Sequence, residues 1–315
     1  MTGPATPLQD AVTASRWKSA LEAAAPVRAG VVRRVIGMGF EVVGLDAAIG
    51  DLIVVDGRNG PLLGHVVGLR DDTVLASAYG ELGGLRAGQQ AIAPGGPPHI
   101  PVGPGLLGRV VDGLGEPIDD LGGLPALETV DLDGRPPHPL RRQRIDTAVP
   151  TGVRANDSAI TCGRGQRVGI FAGSGVGKST LLSMIVRGSA ADVVVIGLVG
   201  ERGREVREFI ENDLGPEGLA RSVVVVATSD EPPLMRLSAA QTATRLAEDF
   251  RDRGLDELLV VDSLTRSAMA PRELGLAAGE FPASRGYPPS VLSARPRLLE
   301  RAGAGEHGSI TALYT

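Results

Sequence analysis

The chain has a single cysteine, Cys162, so no disulfide can form within it, and a reducing compartment is expected. Aromatic residues make up 3% of the 315 positions, too few for a base-stacking surface. The net charge of −5 gives no basic footprint for nucleic acid. The four histidines, His65, His99, His138 and His307, are scattered without metal-ligand spacing, and each reads as a surface or packing residue. No apolar run approaches the ~18–20 residues that a membrane-spanning helix needs. The first residues lack the apolar core of a secretory leader, so none is expected. What remains is an ordinary globular profile, 43% hydrophobic and 22% charged, long enough for two domains or one large one.

Glycine (44) and proline (23) are plentiful, which predicts many tight turns and a β-rich part. Residues 1–25 read as a tail or as an amphipathic docking helix, with Leu8, Val12, Trp17, Leu21 and Ala24 near one side. From Gly30 the texture is β-type. Runs at 31–36, 40–45, 52–55, 62–69 and 73–78 are separated by Gly-, Asp- and Asn-rich turns, so residues 26–93 are expected to form a small β-barrel. Residues 94–104 read as a linker, and 128–160 as an irregular, Pro- and Arg-rich approach to the next unit. Further on, strands at 192–199, 222–227 and 258–261 are almost wholly Val, Ile and Leu. They alternate with helices expected at about 205–213 and 237–254. Such continuous apolar strands predict a parallel sheet covered on both faces, and 94–315 is taken as one α/β core.

The sharpest feature is Ala172-Gly173-Ser174-Gly175-Val176-Gly177-Lys178-Ser179-Thr180. It follows a short run, 167–171, read as a buried strand, and opens a helix: strand, glycine-rich turn, helix is the setting of a phosphate-binding loop. Glycines let successive N–H groups curl inward onto phosphate oxygens, and the helix start adds unpaired N–H groups of its own. Gly173, Ser174, Gly175, Val176, Gly177, Lys178, Ser179 and Thr180 are therefore the candidate nucleotide-binding residues. Lys178 would reach the β- and γ-phosphates, and Ser179 would offer a hydroxyl to Mg²⁺. The first motif position departs from the pattern: it is Ala172, not glycine.

Ligands of such a sheet gather at the carboxyl ends of its strands, and three polar clusters fall there. Asp262 ends one strand; it reads as a Mg²⁺ ligand or as a helix cap before Ser263-Leu264-Thr265-Arg266. Glu201 follows another, in Gly200-Glu201-Arg202-Gly203-Arg204-Glu205, as a base for an attacking water or as part of a solvated helix start. Arg202 and Arg204 would neutralise phosphate charge or bridge to a neighbouring subunit. Thr228-Ser229-Asp230-Glu231-Pro232-Pro233, with Arg236, reads as an interface segment or a plain turn.

These motifs, together with Gly286-Tyr287-Pro288-Pro289-Ser290-Val291 and Gly308-Ser309-Ile310-Thr311-Ala312, resemble the flagellar and type III secretion export ATPases. These enzymes are relatives of the catalytic subunit of the rotary ATP synthase. Tyr79–Gly88 and Leu107–Gly115 resemble the same family's barrel and the segment leading out of it, so the likeness runs from about residue 30 onward. It implies an N-terminal β-barrel and a RecA-like P-loop core, and a hexameric ring with ATP between neighbours. Glu201 is implied as general base, Asp262 as the Mg²⁺ residue, and Arg202 and Arg266 near the phosphates. It also implies a homo-oligomer at the cytoplasmic face of the inner membrane, peripheral to an export gate. Export substrates and chaperones would be its cargo, and a stalk-like regulator would grip the N-terminal helix. Members of the family continue beyond a point equivalent to Thr315, into segments that carry a trans-acting arginine finger and an adenine-packing aromatic. A C-terminally truncated chain is therefore expected to bind phosphates and hydrolyse poorly. Three other readings are a rotary-synthase catalytic subunit, a hexameric nucleic-acid translocase, and a non-catalytic ring subunit. The Ser-Asp-Glu-Pro-Pro and Gly-Tyr-Pro-Pro-Ser wording favours the export enzymes over the synthase. Phe40 and Tyr79 are the only aromatics in 26–93, against the translocase, and Glu201 stands against the non-catalytic reading.

Overall fold

A computed structural model describes residues 29–57, 60–173 and 175–315. The docking helix proposed within 1–25, and Ser174 of the phosphate loop, lie outside them. Six strands close into an antiparallel barrel: β1 (Ala29–Ile36), β2 (Gly39–Val43), β3 (Leu52–Gly57), β4 (Gly60–Arg70), β5 (Thr73–Ala78) and β6 (Gln90–Ile92). Five coincide with the β-type runs expected between Gly-, Asp- and Asn-rich turns. The sixth, β6, is three residues long and carries too little pattern to be seen in sequence, yet it pairs with both β1 and β3 and closes the ring. Alternation places Val32, Phe40, Val42, Ile53, Val55, Val66 and Ala91 inside a single core.

The segment read as a linker is partly structured. It contains β7 (His99–Val102), and β8 (Val110–Val111) and β9 (Glu128–Asp131) follow. β7 and β9 pair antiparallel, and Ile100 and Val102 are buried in the core of the next unit. Prolines at 97, 98 and 101 hide this strand in the sequence; Pro101 fits because it lies in a two-stranded ribbon, where one edge needs no donor. The irregular region likewise holds β9 and a short helix, α1 (Arg154–Ala159).

The remaining elements are β10 (Arg167–Gly169), α2 (Lys178–Gly188), β11 (Val193–Val199), α3 (Gly203–Glu208), a π-helical turn (Phe209–Leu214) and α4 (Gly215–Ala220). They continue with β12 (Ser222–Ala227), α5 (Pro233–Asp252), β13 (Asp256–Asp262), α6 (Leu264–Ala277), α7 (Pro289–Arg301), β14 (Gly303–Ala304) and β15 (Ser309–Tyr314). The sheet runs β10-β15-β13-β11-β12-β8, all parallel, with β14 antiparallel on β15. The expected parallel sheet is present, but β10 is its edge strand, not a buried one, and Phe171 beyond it is 92% exposed.

Every residue of β11 and β12 is buried, because both faces are covered. Val193, Val195 and Val199 enter the core beneath α5 with Val223, Val225, Leu246 and Phe250. Val194, Ile196 and Leu198 enter the opposite core with Leu182, Ile185 and Val186 of α2. Full burial of Ile196, together with its neighbours, fixes the height at which β11 ends, and so where Glu201 emerges.

Candidate nucleotide site

The phosphate loop turns on glycines that no other residue would replace without strain. Gly175 and Gly177 have φ of 76° and 94°, and Gly177 caps α2 directly. Lys178 is thus the first residue of the helix, and the amides of its first turn point into the open space before it. That space is a cavity of about 610 Å³. Lys178, Ser179, Glu201, Glu205, Asp262 and Arg266 line it, with Phe209 and Asp213 of the π turn on its far wall.

Two ion pairs organise the cavity. Lys178 Nζ donates to Asp262 Oδ1 at 2.5 Å, and Asp262 Oδ1 also accepts from Thr315 Oγ1 at 2.6 Å. Arg266 Nη1 donates to Glu201 Oε2 at 2.6 Å and to the Gly200 carbonyl at 2.7 Å. Gly200 makes this second grip possible. Its φ is 74°, and a Cβ there would lie 2.9 Å from Arg266 Cβ. The first turn of α6 can approach the end of β11 this closely only over a glycine.

Glu201 is the perturbed group. Burial, first, pushes its carboxyl up to about 7; the hydrogen bond to Glu205 and the Asp262 charge act in the same direction, while Arg266 and Lys178 act against them. A carboxyl with half its population ionised near neutral pH is suited to accept a proton from water. Asp262 does not cap the helix after it. Ser263 does so, its side chain accepting from the Arg266 amide, which leaves Asp262 to the cavity.

The other sequence candidates fall differently. Gly173, Gly175, Gly177, Ser179 and Thr180 line the cavity, and Val176 is exposed on the loop, 69% accessible. Arg202 does not line the cavity: its guanidinium is 3.6 Å from Glu205 and largely exposed. Arg236 reaches the Glu231 carbonyl and pairs with Glu273 of α6 at 2.7 Å, so the Thr228–Pro233 segment is tied down by α6 and α5. Glu205 and Thr315 were not singled out in the sequence. A polar residue directly after the apolar run Ala312-Leu313-Tyr314 was the available signal for Thr315, by the same strand-end logic that found Asp262. Among the described residues no cluster of three or more His, Cys, Asp or Glu could hold a metal alone. The oxygens of Ser179 and Asp262 are nevertheless a fit for Mg²⁺, which takes few protein ligands and completes its shell with phosphates and water.

Residues 152–315 match the model of the ATP synthase alpha/beta family, nucleotide-binding domain. The chain belongs to that family. Within it, the chain is 53% identical over 291 residues to the flagellum-specific ATP synthase of Bacillus subtilis (strain 168), covering 91% of this chain and 66% of that protein. It is 54% identical over 290 residues to the type 3 secretion system ATPase of Xanthomonas euvesicatoria, with the same coverages. The chain therefore spans just under two thirds of the length of these curated relatives. The fold is similar to the assembled ATPase EscN of the enteropathogenic E. coli type III secretion system. The TM-score is 0.85 and identity 46%, over 91% of this chain and 69% of EscN. EscN has also been solved in complex with its central stalk, EscO.

Proposed function

We propose that this chain binds ATP at the phosphate loop and hydrolyses it slowly on its own, as the ATPase part of a flagellar or type III protein export apparatus. The observation that carries the reading is the position of Glu201. It sits across one cavity from Lys178, just past the end of β11, raised to about 7 and held by Arg266. In this reading the α2 amides and Lys178 bind the terminal phosphates, and Arg266 neutralises charge that develops there. Glu201 orients the attacking water and takes its proton. Ser179 and Asp262 hold Mg²⁺, which offsets phosphate charge when bound. Arg202, exposed and paired with Glu205, belongs to a surface that meets a neighbouring copy.

Assembly is part of the proposal. The likeness to EscN, described as assembled and as bound to a central stalk, supports a homo-oligomer with a stalk partner. Work on export substrates and chaperones, at the inner-membrane face, is the activity proposed for the whole protein. No helix among the described residues is long and apolar enough to cross a membrane.

The test is phosphate release from ATP as a function of pH, with nucleotide binding followed in the same samples. Glu201 must be ionised to act as base, so turnover should fall as pH drops through about 7 while binding changes little. Turnover that is flat through that region would remove Glu201 from the role.

A further inference from the structure

Where the barrel meets α5, a polar pair is packed without a closing hydrogen bond. His65 on β4 and Tyr79, just past β5, meet edge to face, with ring centroids 6.4 Å apart and planes at 88°. Tyr79 is 3% exposed, and its hydroxyl lies beside Ser238, two residues past the first turn of α5 and itself 1% exposed. The Nδ1 of His65 is enclosed by protein and has no hydrogen-bond partner, and the Tyr79 hydroxyl finds none in bonding geometry. The barrel ladder fixes the backbone at this point, since His65 pairs with Leu52 on one side and Ser77 on the other. The charged groups that face it are Asp51, from the turn before β3, and Asp133, from the segment after β9.

We infer that His65 is an acid-sensitive latch: its neutral ring holds the barrel against α5, and its protonation opens that joint while leaving the parallel sheet intact. An imidazolium carries N–H donors on both nitrogens, so protonation places a charged donor at an enclosed Nδ1 that has no hydrogen-bond partner in the closed joint. Burial holds the ring below the usual histidine range, and the pull of Asp133 and Asp51 in the other direction is weaker. The sign follows. A group depressed in the closed joint is protonated more readily once the joint opens. The closed joint is therefore fully favoured above the ordinary value of ~6.5 and loses ground as pH falls below it. One proton can raise the open population at most ~10-fold per pH unit. None of this depends on the nucleotide reading, because His65 lies outside the phosphate cavity.

Hydrogen exchange by mass spectrometry on the full chain tests the latch, at about pH 7.5 and about pH 5.5, either side of the ordinary histidine value. Rates are corrected for intrinsic exchange chemistry. Peptides from β4, β5 and the first turns of α5 report the joint, and β11 and β13 serve as internal reference. Acid should raise opening several-fold in the joint peptides but not in the reference, and His65→Gln should abolish that response. An equal acid response in His65→Gln, or none in the parent, overturns the inference. Side-chain NMR titration of the parent gives an independent check. A His65 midpoint below ~6.5 is expected, and a midpoint at or above it contradicts the latch.

Discussion

The barrel and the parallel sheet bury their apolar residues under different constraints. In the barrel each strand has one inner face, so Ile53 and Val55 point inward while Leu52 and Val54 are only partly covered. In the sheet, β11 and β12 are covered on both faces and serve two cores at once. The barrel encloses its own core and carries no residue of the phosphate cavity. The sheet does both tasks: the strands that build its cores end at Glu201, Asp262 and Thr315, which line or brace the cavity. Stability and site geometry are separable in the first region and joined in the second.

The largest expected effect probes the joined region at its most charged point. Lys178→Ala removes a positioned cation and leaves Asp262 with only Thr315 as a partner. Turnover should fall by ~10²–10³ and nucleotide affinity should fall with it. Unchanged affinity, measured by titration with a fluorescent ATP analogue, would detach the loop from its proposed ligand.

The next pair of substitutions addresses the separation itself. Ile53→Ala in the barrel and Ile196→Ala in the sheet each empty a fully buried position, and each should cost ~2–5 kcal/mol. At a temperature where both remain folded, Ile53→Ala should leave nucleotide affinity unchanged. Ile196→Ala should weaken it, because Ile196 packs in one core with Leu182 and Ile185 of α2, the helix that begins at Lys178. Equal losses of affinity would show that the two regions are not independent.

The smallest expected effect concerns a polar group inside the sheet. Glu257 on β13 is 1% exposed, and neither carboxylate oxygen has a side-chain or backbone partner in bonding geometry. Burial pushes its carboxyl well above the usual range. The unfolded chain ionises near ~4.3, so the group favours the fold below that pH and progressively opposes it as pH rises toward its folded value. Glu257→Leu should therefore stabilise the chain at neutral pH by about 1–3 kcal/mol, more at pH 8 than at pH 5. Denaturant melts at the two pH values measure this, and a loss of stability would mean that the carboxyl has a partner the geometry hides.

How far the sequence reaches follows the same division. The strands at 222–227 and 192–199 were legible because burial on both faces leaves an unbroken apolar run. Five barrel strands were legible because each is a short β-type run between Gly-, Asp- and Asn-rich turns. β6 and β7 were not: one is three residues long, and the other is flanked and interrupted by proline. The phosphate loop and Asp262 were readable because the chemistry fixes residue type and spacing together. Arg202 was placed near the phosphates by resemblance, yet its side chain turns to Glu205. The bond between Arg266 and Glu201 depends on how closely α6 approaches Gly200, a tertiary distance that no local pattern encodes.

In the proposed mechanism Glu201 is the base in a site that binds nucleotide without it. The direct measurement is nucleotide affinity and phosphate release in the parent and in Glu201→Gln, side by side on the full chain. The expected result is unchanged or tighter affinity with turnover lower by ~10²–10⁴ in the variant. Equal turnover in the two proteins, or loss of affinity in step with turnover, would contradict it.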